Sequence, residues 1–384
     1  LGDNTDYEIV WSAPTIEKLV ADFHIAADEI DPDIPIESER DLVVSILGFL
    51  RSGSGGERYV ASPDIVEGLA RSFRMKVTVG GTSIRAAIAM RRLGYVSALH
   101  LVTMNDYVRH QLPEGCEWVC SAREDASYPH LIVQYNEGAE IRVGDTLLKA
   151  ARPNRLIYNN DPDNMRMELS PRLGELAADA RVLLVSGFNA MQDRELLAKR
   201  LDELSEVLAG LPEGALTFYE DACFHDSSMN AQVLEALLGK IDILSMNEDE
   251  ARGYLGFGID ELGPRELRPA LEKLHAALPG PTLVVHTRRW ALASGKNAER
   301  FEAALRAGVV MATTRLRYGD DFDAARCEET AALPHDEDGA AFADGLKGGR
   351  DIACVPSFSV PKGNFTTIGL GDAFVGGFLP ASIE

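Results

Sequence analysis

The chain of 384 residues carries 60 Asp and Glu against 38 Lys and Arg, a formal charge of −22. That balance repels nucleic acid and anionic lipid over most of the surface, and no apolar run approaches the roughly 18 residues that span a bilayer, so neither is an expected partner. Five cysteines without a regular framework, and no signal-peptide pattern, predict a cytoplasmic protein without structural zinc.

In chain order, the first residues read as a loop following a strand that would precede Leu1, with Asn4 and Asp6 at its end. Asp41–Val60 and Leu131–Ile157 show β-type alternation around Gly-rich or Asn-Glu-Gly turns. They predict a small discontinuous β lid made of residues 41–62 and 120–160. Between them, Val77–Met90 reads as a strand, the Gly80-Gly81 turn and a helix, and is assigned to a larger α/β domain of residues 1–40, 63–119 and 161–384.

From Val182 onward apolar runs alternate with helical patterns: Val182–Ser186 then Asp193–Leu208, Leu216–Tyr219 then Ala231–Leu238, Ile241–Met246 then Glu248–Leu255, and Glu266–Leu278 before Leu283–His286. Such alternation predicts a mostly parallel sheet covered by helices, with ligands at the carboxyl ends of the strands. The acidic runs Asp320–Glu329 and His335–Asp338 read as solvated loops.

The chemistry concentrates at Ile368–Phe374, where Gly369 and Gly371 bracket a turn that delivers Asp372 into a helix start. Uncovered N–H groups and the positive helix end stabilise a phosphoryl group in flight, and a carboxylate there can take the proton of an acceptor hydroxyl. Asn247 and Glu250 follow a strand at a spacing that puts both on one helix face, where they can hold the water shell of a magnesium ion.

Together these segments resemble the ADP-dependent sugar kinases, the glucokinase and phosphofructokinase branch of the ribokinase-like superfamily. The resemblance rests on Asn4-Thr5-Asp6, Gly80-Gly81, His130–Tyr135 with Gly138, Pro153-Asn154-Arg155, Ser186-Gly187-Phe188, Glu220, Asn247–Glu250, Val285-His286-Thr287 and Gly369–Asp372, in the family's order. It implies a Rossmann-type large domain and a β lid that closes over a sugar, with ADP as phosphoryl donor, Mg2+ as cofactor, and small-molecule sugar and nucleotide as partners. Oligomeric state is left open.

By that resemblance Asp372 is the base and Gly369, Leu370 and Gly371 form the anion hole. Asn4, Asp6, Glu57, Gly80, Gly81 and His130 would bind the sugar. Arg155, Asn247, His286 and Thr287 would bind the nucleotide, and Glu220 with Glu250 would order metal-bound water. The family's His-x-Glu motif appears as Phe218-Tyr219-Glu220, Gln134 stands where a Glu is usual, and Thr82 and Arg85 replace an amide and a small residue. Glu57, 24 residues before Gly81, matches the lid glutamate of glucose-using members, so glucose is favoured over fructose 6-phosphate. The competing readings are an ATP-dependent ribokinase-like kinase and a non-catalytic sugar or nucleotide sensor.

Overall fold

The computed structural model describes all residues except His225, Gly349, 362–367 and Glu384. The first half runs β1 (Asn4–Ile9), α1 (Ala13–Asp22), α2 (Glu39–Ser52), β2 (Gly56–Tyr59), α3 (Pro63–Ala70), β3 (Met75–Gly80) and α4 (Thr82–Arg92). A two-stranded sheet of β4 (Ala98–Leu101) and β5 (Glu117–Cys120) with α5 (Asp106–Gln111) follows, then β6 (His130–Tyr135), the hairpin of β7 (Glu140–Val143) and β8 (Thr146–Lys149), and β9 (Asn154–Asn159).

Strands β2, β9, β6, β1 and β3 form a five-stranded sheet in that order. Side chains alternate across it. Ile9, Leu131, Val133, Tyr135, Leu156 and Tyr158 enter one core with α1, α2 and α3. The alternate residues, including Asp6, Glu8, His130, Gln134, Arg155 and Asn159, occupy the opposite, polar face.

Three sequence expectations are corrected here. Residues 41–52 belong to helix α2, not to a β segment: Ser38 caps its start, Glu39 and Asp41 sit in its first turn, and Gly53 ends it at a φ of 68°. Leu42 through Leu50 are all buried, and each large apolar side chain among them contributes about 1.5–3 kcal/mol, well above the few tenths by which Val and Ile disfavour a helix. Second, Asn4 and Asp6 open strand β1 instead of ending an earlier one. Third, β3 pairs antiparallel with β1 inside the five-stranded sheet, while the helix after it packs on the α/β core.

The second half contains α6 (Pro162–Arg166), α7 (Leu173–Leu176), β10 (Val182–Val185), α8 (Arg194–Ala209), β11 (Leu216–Glu220), α9 (Ser227–Leu237), β12 (Ile243–Asn247) and α10 (Glu248–Leu255). It continues with α11 (Pro264–Ala277), β13 (Thr282–His286), β14 (Trp290–Ser294), α12 (Glu302–Tyr318), α13 (Ala324–Ala331), α14 (Glu337–Leu346), β15 (Ile352–Pro356) and α15 (Leu370–Ala381). Strands β10 to β13 are parallel and β14 and β15 antiparallel, in sequential order.

Both faces of this sheet are covered, which is why its strands read as continuous apolar runs. Leu244, Met246, Leu283, Val285 and Leu292 point into one helical layer, and Phe218, Ile243, Val284, Ala291 and Ala293 into the other. Helix α15 lies in the second layer between α4 and α12. A Cβ on Gly376 would stand 2.8 Å from Ala86 O, and one on Gly377 would stand 2.4 Å from Ala307 O, so only glycine admits these close approaches. The acidic stretches read as solvated loops are partly helical: Asp323 caps α13, Asp336 caps α14, and Asp320 pairs with the buried Arg315 at 2.7 Å.

Candidate active site

The polar face of the five-stranded sheet gathers the residues expected to bind sugar. Asp6 lies opposite His130 on one side and Thr78 on the other, and Asn4 lies opposite Gly80. Asn4 Nδ2 donates to Asp6 Oδ1 at 2.5 Å. His130 Nε2 donates to Asp161 Oδ2 at 3.1 Å, and Asn159 Nδ2 to Glu57 Oε1 at 2.8 Å. Burial works against the His130 imidazolium, but the Asp161 hydrogen bond and the charges of Asp161, Asp6 and Glu57 outweigh it and raise the pKa.

Gly80 and Gly81 have a different immediate use from the expected approach to sugar. A Cβ on Gly80 would fall 2.4 Å from Asn4 Nδ2, and Gly81, at φ 98°, abuts Gly2 and Asp3. Their bareness lets β3 close against the Asn4 and Asp6 side chains. Arg155 extends from β9 on the same face as His130, opposite Gln134.

Facing this row are the carboxyl ends of the parallel strands. Glu220, Asn247 and His286 are the last residues of β11, β12 and β13, where the topology predicts a site. His286 Nε2 donates to Glu220 Oε1 at 3.0 Å, and its ring stacks on Phe374 at 4.8 Å. A histidine thus adjoins Glu220 from two strands away, while Phe218 is buried against Phe378. A Cβ on Gly371 would lie 3.4 Å from His286 Cε1, so His286 adjoins the glycine turn. The Thr287 hydroxyl serves the turn after β13, donating to Trp290 O at 2.9 Å.

Gly369 caps α15 in the left-handed region at φ 67°, and Asp372 occupies the first turn of the helix. There the N–H groups of Leu370, Gly371 and Asp372 have no carbonyl within the helix to bond. Arg85 connects this turn with the sheet. Its Nη2 donates to Asp6 Oδ2 at 2.8 Å, and its Nε stands 3.9 Å from Asp372 Oδ2. Tyr59 on β2 makes a second link, donating to Ala190 O at 3.3 Å just beyond β10.

Asn247 and Glu250 form a capping box. Asn247 Oδ1 accepts from the backbone N–H of Asp249 and Glu250, and Glu250 Oε2 accepts from Asn247 N at 2.7 Å. The remaining oxygens test whether magnesium fits. Glu220 Oε2 is buried without a hydrogen-bond partner, and burial, with Glu220's charge among the causes, pushes the Glu250 carboxyl up to about 7 despite the Asn247 bond. Two close carboxylates, one oxygen of which is buried without a partner, suit a hydrated divalent cation beside the His286 ring. Among the described residues no three His, Cys, Asp or Glu side chains converge on one point, so protein contact would run through water.

Arg85, Glu8, Asn159 and Asp161 complete the constellation but were not singled out as site residues. Only Arg85 carried a signal, as a departure from the expected residue. A separate cavity of about 470 Å3 borders Trp118, Arg109, Arg123 and Arg172. Those arginines are paired with Asp125, Glu168 and Glu175, and the cavity lies outside this constellation.

The family model for the conserved region of ADP-specific phosphofructokinase and glucokinase matches residues 2–377. No curated protein matches the chain. Among solved structures, a hypothetical ADP-dependent phosphofructokinase from Pyrococcus horikoshii OT3 is similar at 17% identity and a TM-score of 0.73, covering 99% of this chain and 96% of that one. The last common ancestor of ADP-dependent phosphofructokinases from Methanosarcinales is similar at 15% identity and 0.73, covering 99% and 92%. An ADP-dependent kinase in complex with fructose-6-phosphate and ADPβS is similar at 14% identity and 0.75, also covering 99% and 92%. At these identities the likeness is one of fold. Among the described residues no helix is long and apolar enough to cross a membrane.

Proposed function

The chain belongs to the ADP-specific phosphofructokinase/glucokinase family, and we propose that it transfers the β-phosphoryl group of ADP to a hydroxyl of a neutral hexose, glucose being the favoured acceptor. The observation that carries this reading is the chain of charge Asp6–Arg85–Asp372. A carboxylate suited to sugar hydroxyls and a carboxylate suited to the attacking proton flank one guanidinium, so acceptor and base share a cleft.

In the proposed step the acceptor oxygen forms its bond to the β-phosphorus as the bond from that phosphorus to the bridging oxygen breaks, and its electron pair leaves with AMP. The acceptor proton passes to Asp372. The N–H groups of Leu370 and Gly371 at the start of α15 would stabilise the charge that gathers on the equatorial oxygens. Glu220 and Glu250 would hold a magnesium ion through its water shell, and that ion would supply further neutralisation of phosphate charge. His286 keeps Glu220 in place from β13.

The neutral acceptor is supported by the charge of the face. Asp6 and Glu8 already engage Arg85, and Glu57 adds a third carboxylate beside Asn159, so a sugar phosphate placed against Glu57 would meet local repulsion. Fructose 6-phosphate is the second reading, favoured by Arg155 and Lys76 on the same face and by the ligand named for one neighbour. The test is a matrix of ADP and ATP against glucose and fructose 6-phosphate with Mg2+ present, read as kcat/KM. The expected maximum is ADP with glucose. A maximum at fructose 6-phosphate replaces the acceptor, and one at ATP replaces the donor.

A further inference from the structure

Arg85 is buried, with a side chain 6% exposed, yet each of its nitrogens faces a different part of the cleft. Nη2 meets the acceptor row, at 2.8 Å from Asp6, 3.4 Å from Thr78 Oγ1 and 3.5 Å from Glu8 Oε1. Nε faces Asp372 at 3.9 Å, too far for a hydrogen bond. Nη1 would stand 3.0 Å from a Cβ on Gly369, the residue that opens the anion hole. The planar fork of a guanidinium can serve three directions at once, and a lysine ammonium at the same place cannot.

The inequality of these contacts is informative. A buried guanidinium requires an anion, and Asp6 satisfies it directly. Asp372 therefore feels the positive charge while none of the described residues hydrogen-bonds its oxygens, which leaves them to an incoming hydroxyl. Were Arg85 bonded to Asp372 as closely as to Asp6, the base would be occupied by its own neighbour. We propose that Arg85 is a positioning residue that couples the acceptor pocket to the base, so that an acceptor hydroxyl bonding to Asp6 frees the guanidinium to shift toward Asp372 and Gly369 as the phosphoryl group arrives. A water molecule in the acceptor pocket engages Asp6 less completely, so transfer to the acceptor is favoured over hydrolysis of the donor. This rests on the assignment of Asp372 as the base.

The test compares Arg85→Lys and Arg85→Ala with Asp372→Asn, measuring kcat, acceptor KM, ADP hydrolysed per transfer, melting temperature, and rescue by added guanidinium ion. Arg85→Lys keeps the charge beside Asp6 and should lose about tenfold or more in kcat, with acceptor KM within about threefold. Arg85→Ala should lose about 100-fold or more, regain at least about tenfold with guanidinium, and hydrolyse more ADP per transfer. A lysine variant within about threefold of wild type in kcat, or a loss confined to KM, overturns the coupling. So does an unrescued alanine variant whose loss merely follows a lowered melting temperature. A normal rate in Asp372→Asn removes the base and the coupling with it, whereas a crippled Asp372→Asn beside a normal Arg85→Lys removes only the coupling.

Discussion

Replacing Gly80 with alanine adds one methyl group at the junction of β1 and β3. Its Cβ would lie 2.4 Å from Asn4 Nδ2, 2.7 Å from Asn4 Oδ1 and 2.8 Å from Asp6 Oδ1. Relaxed contacts are near 3.5 Å, so something must move by about 1 Å. Neither side chain can easily give way. Asn4 and Asp6 are short, bonded to each other at 2.5 Å, and Asp6 is held by Arg85. Overpacking of this kind costs about 1–3 kcal/mol, and a displacement of about 1 Å in a positioned group costs about 100-fold in rate. Gly80→Ala should therefore lower kcat/KM by about that factor while the protein still folds, with a melting temperature a few degrees lower. Gly253→Ala is the control: α10 offers its Cβ nothing within 4 Å, so it should stabilise by about 0.5–1 kcal/mol and leave the rate alone. A Gly80→Ala enzyme with wild-type kcat/KM would mean that the Asn4 and Asp6 pair does not hold the acceptor.

Glu57→Ala should move the ratio of kcat/KM values toward fructose 6-phosphate by about tenfold, and an unmoved ratio would remove Glu57 from acceptor choice. Glu250→Gln keeps an acceptor oxygen for the Asn247 cap but loses the charge, so it should raise the Mg2+ concentration for half-maximal rate; an unchanged requirement would confine Glu250 to capping. The folded-state pKa of His286 is raised: burial opposes the imidazolium, but Glu220, through its charge and hydrogen bond, and then Glu250 and Glu248, prevail. The His286–Glu220 contribution to stability should accordingly be full below about pH 6.5 and fade as pH rises past the raised value. A double-mutant cycle with His286→Asn and Glu220→Gln measures it, and coupling that stays constant from pH 6 to 9 would contradict the ionised pair.

The parallel sheet was legible because burial on both faces leaves unbroken apolar runs between helices. Glu220 and His286 follow from the family resemblance, Asn247 also from its place after a strand, and all three end strands of that sheet. Helix α2 was not legible because Leu42 through Leu50 are all buried, so the period of 3.6 that marks a one-sided helix is absent and the Gly-rich end resembled a hairpin turn. The partners that assemble the site are distant in the chain: Arg85 and Asp6 are 79 residues apart, and His286 and Glu220 are 66. Residue types announced these side chains as chemically able, while only the pairing of β1 with β3 and the order of β11 to β13 brought them together. The capping box was visible in the Asn-x-x-Glu spacing, yet spacing alone could not say that Glu220 would also crowd Glu250.

The bare surface of α15 makes the placement of its first turn a matter of leverage. Because Gly376 rests on Ala86 and Gly377 on Ala307, the helix behaves as a rod seated in a two-walled socket, and its seat fixes where Asp372 stands. Ala86 directly follows Arg85 in α4, so one wall of the socket and the guanidinium are parts of a single stiff element. The spacing of cation and base is therefore set where α4 and α15 touch, at Gly376 against Ala86. Tuning this catalyst is thus possible from Ala86, Ala307 or Met311, side chains that need never meet a substrate.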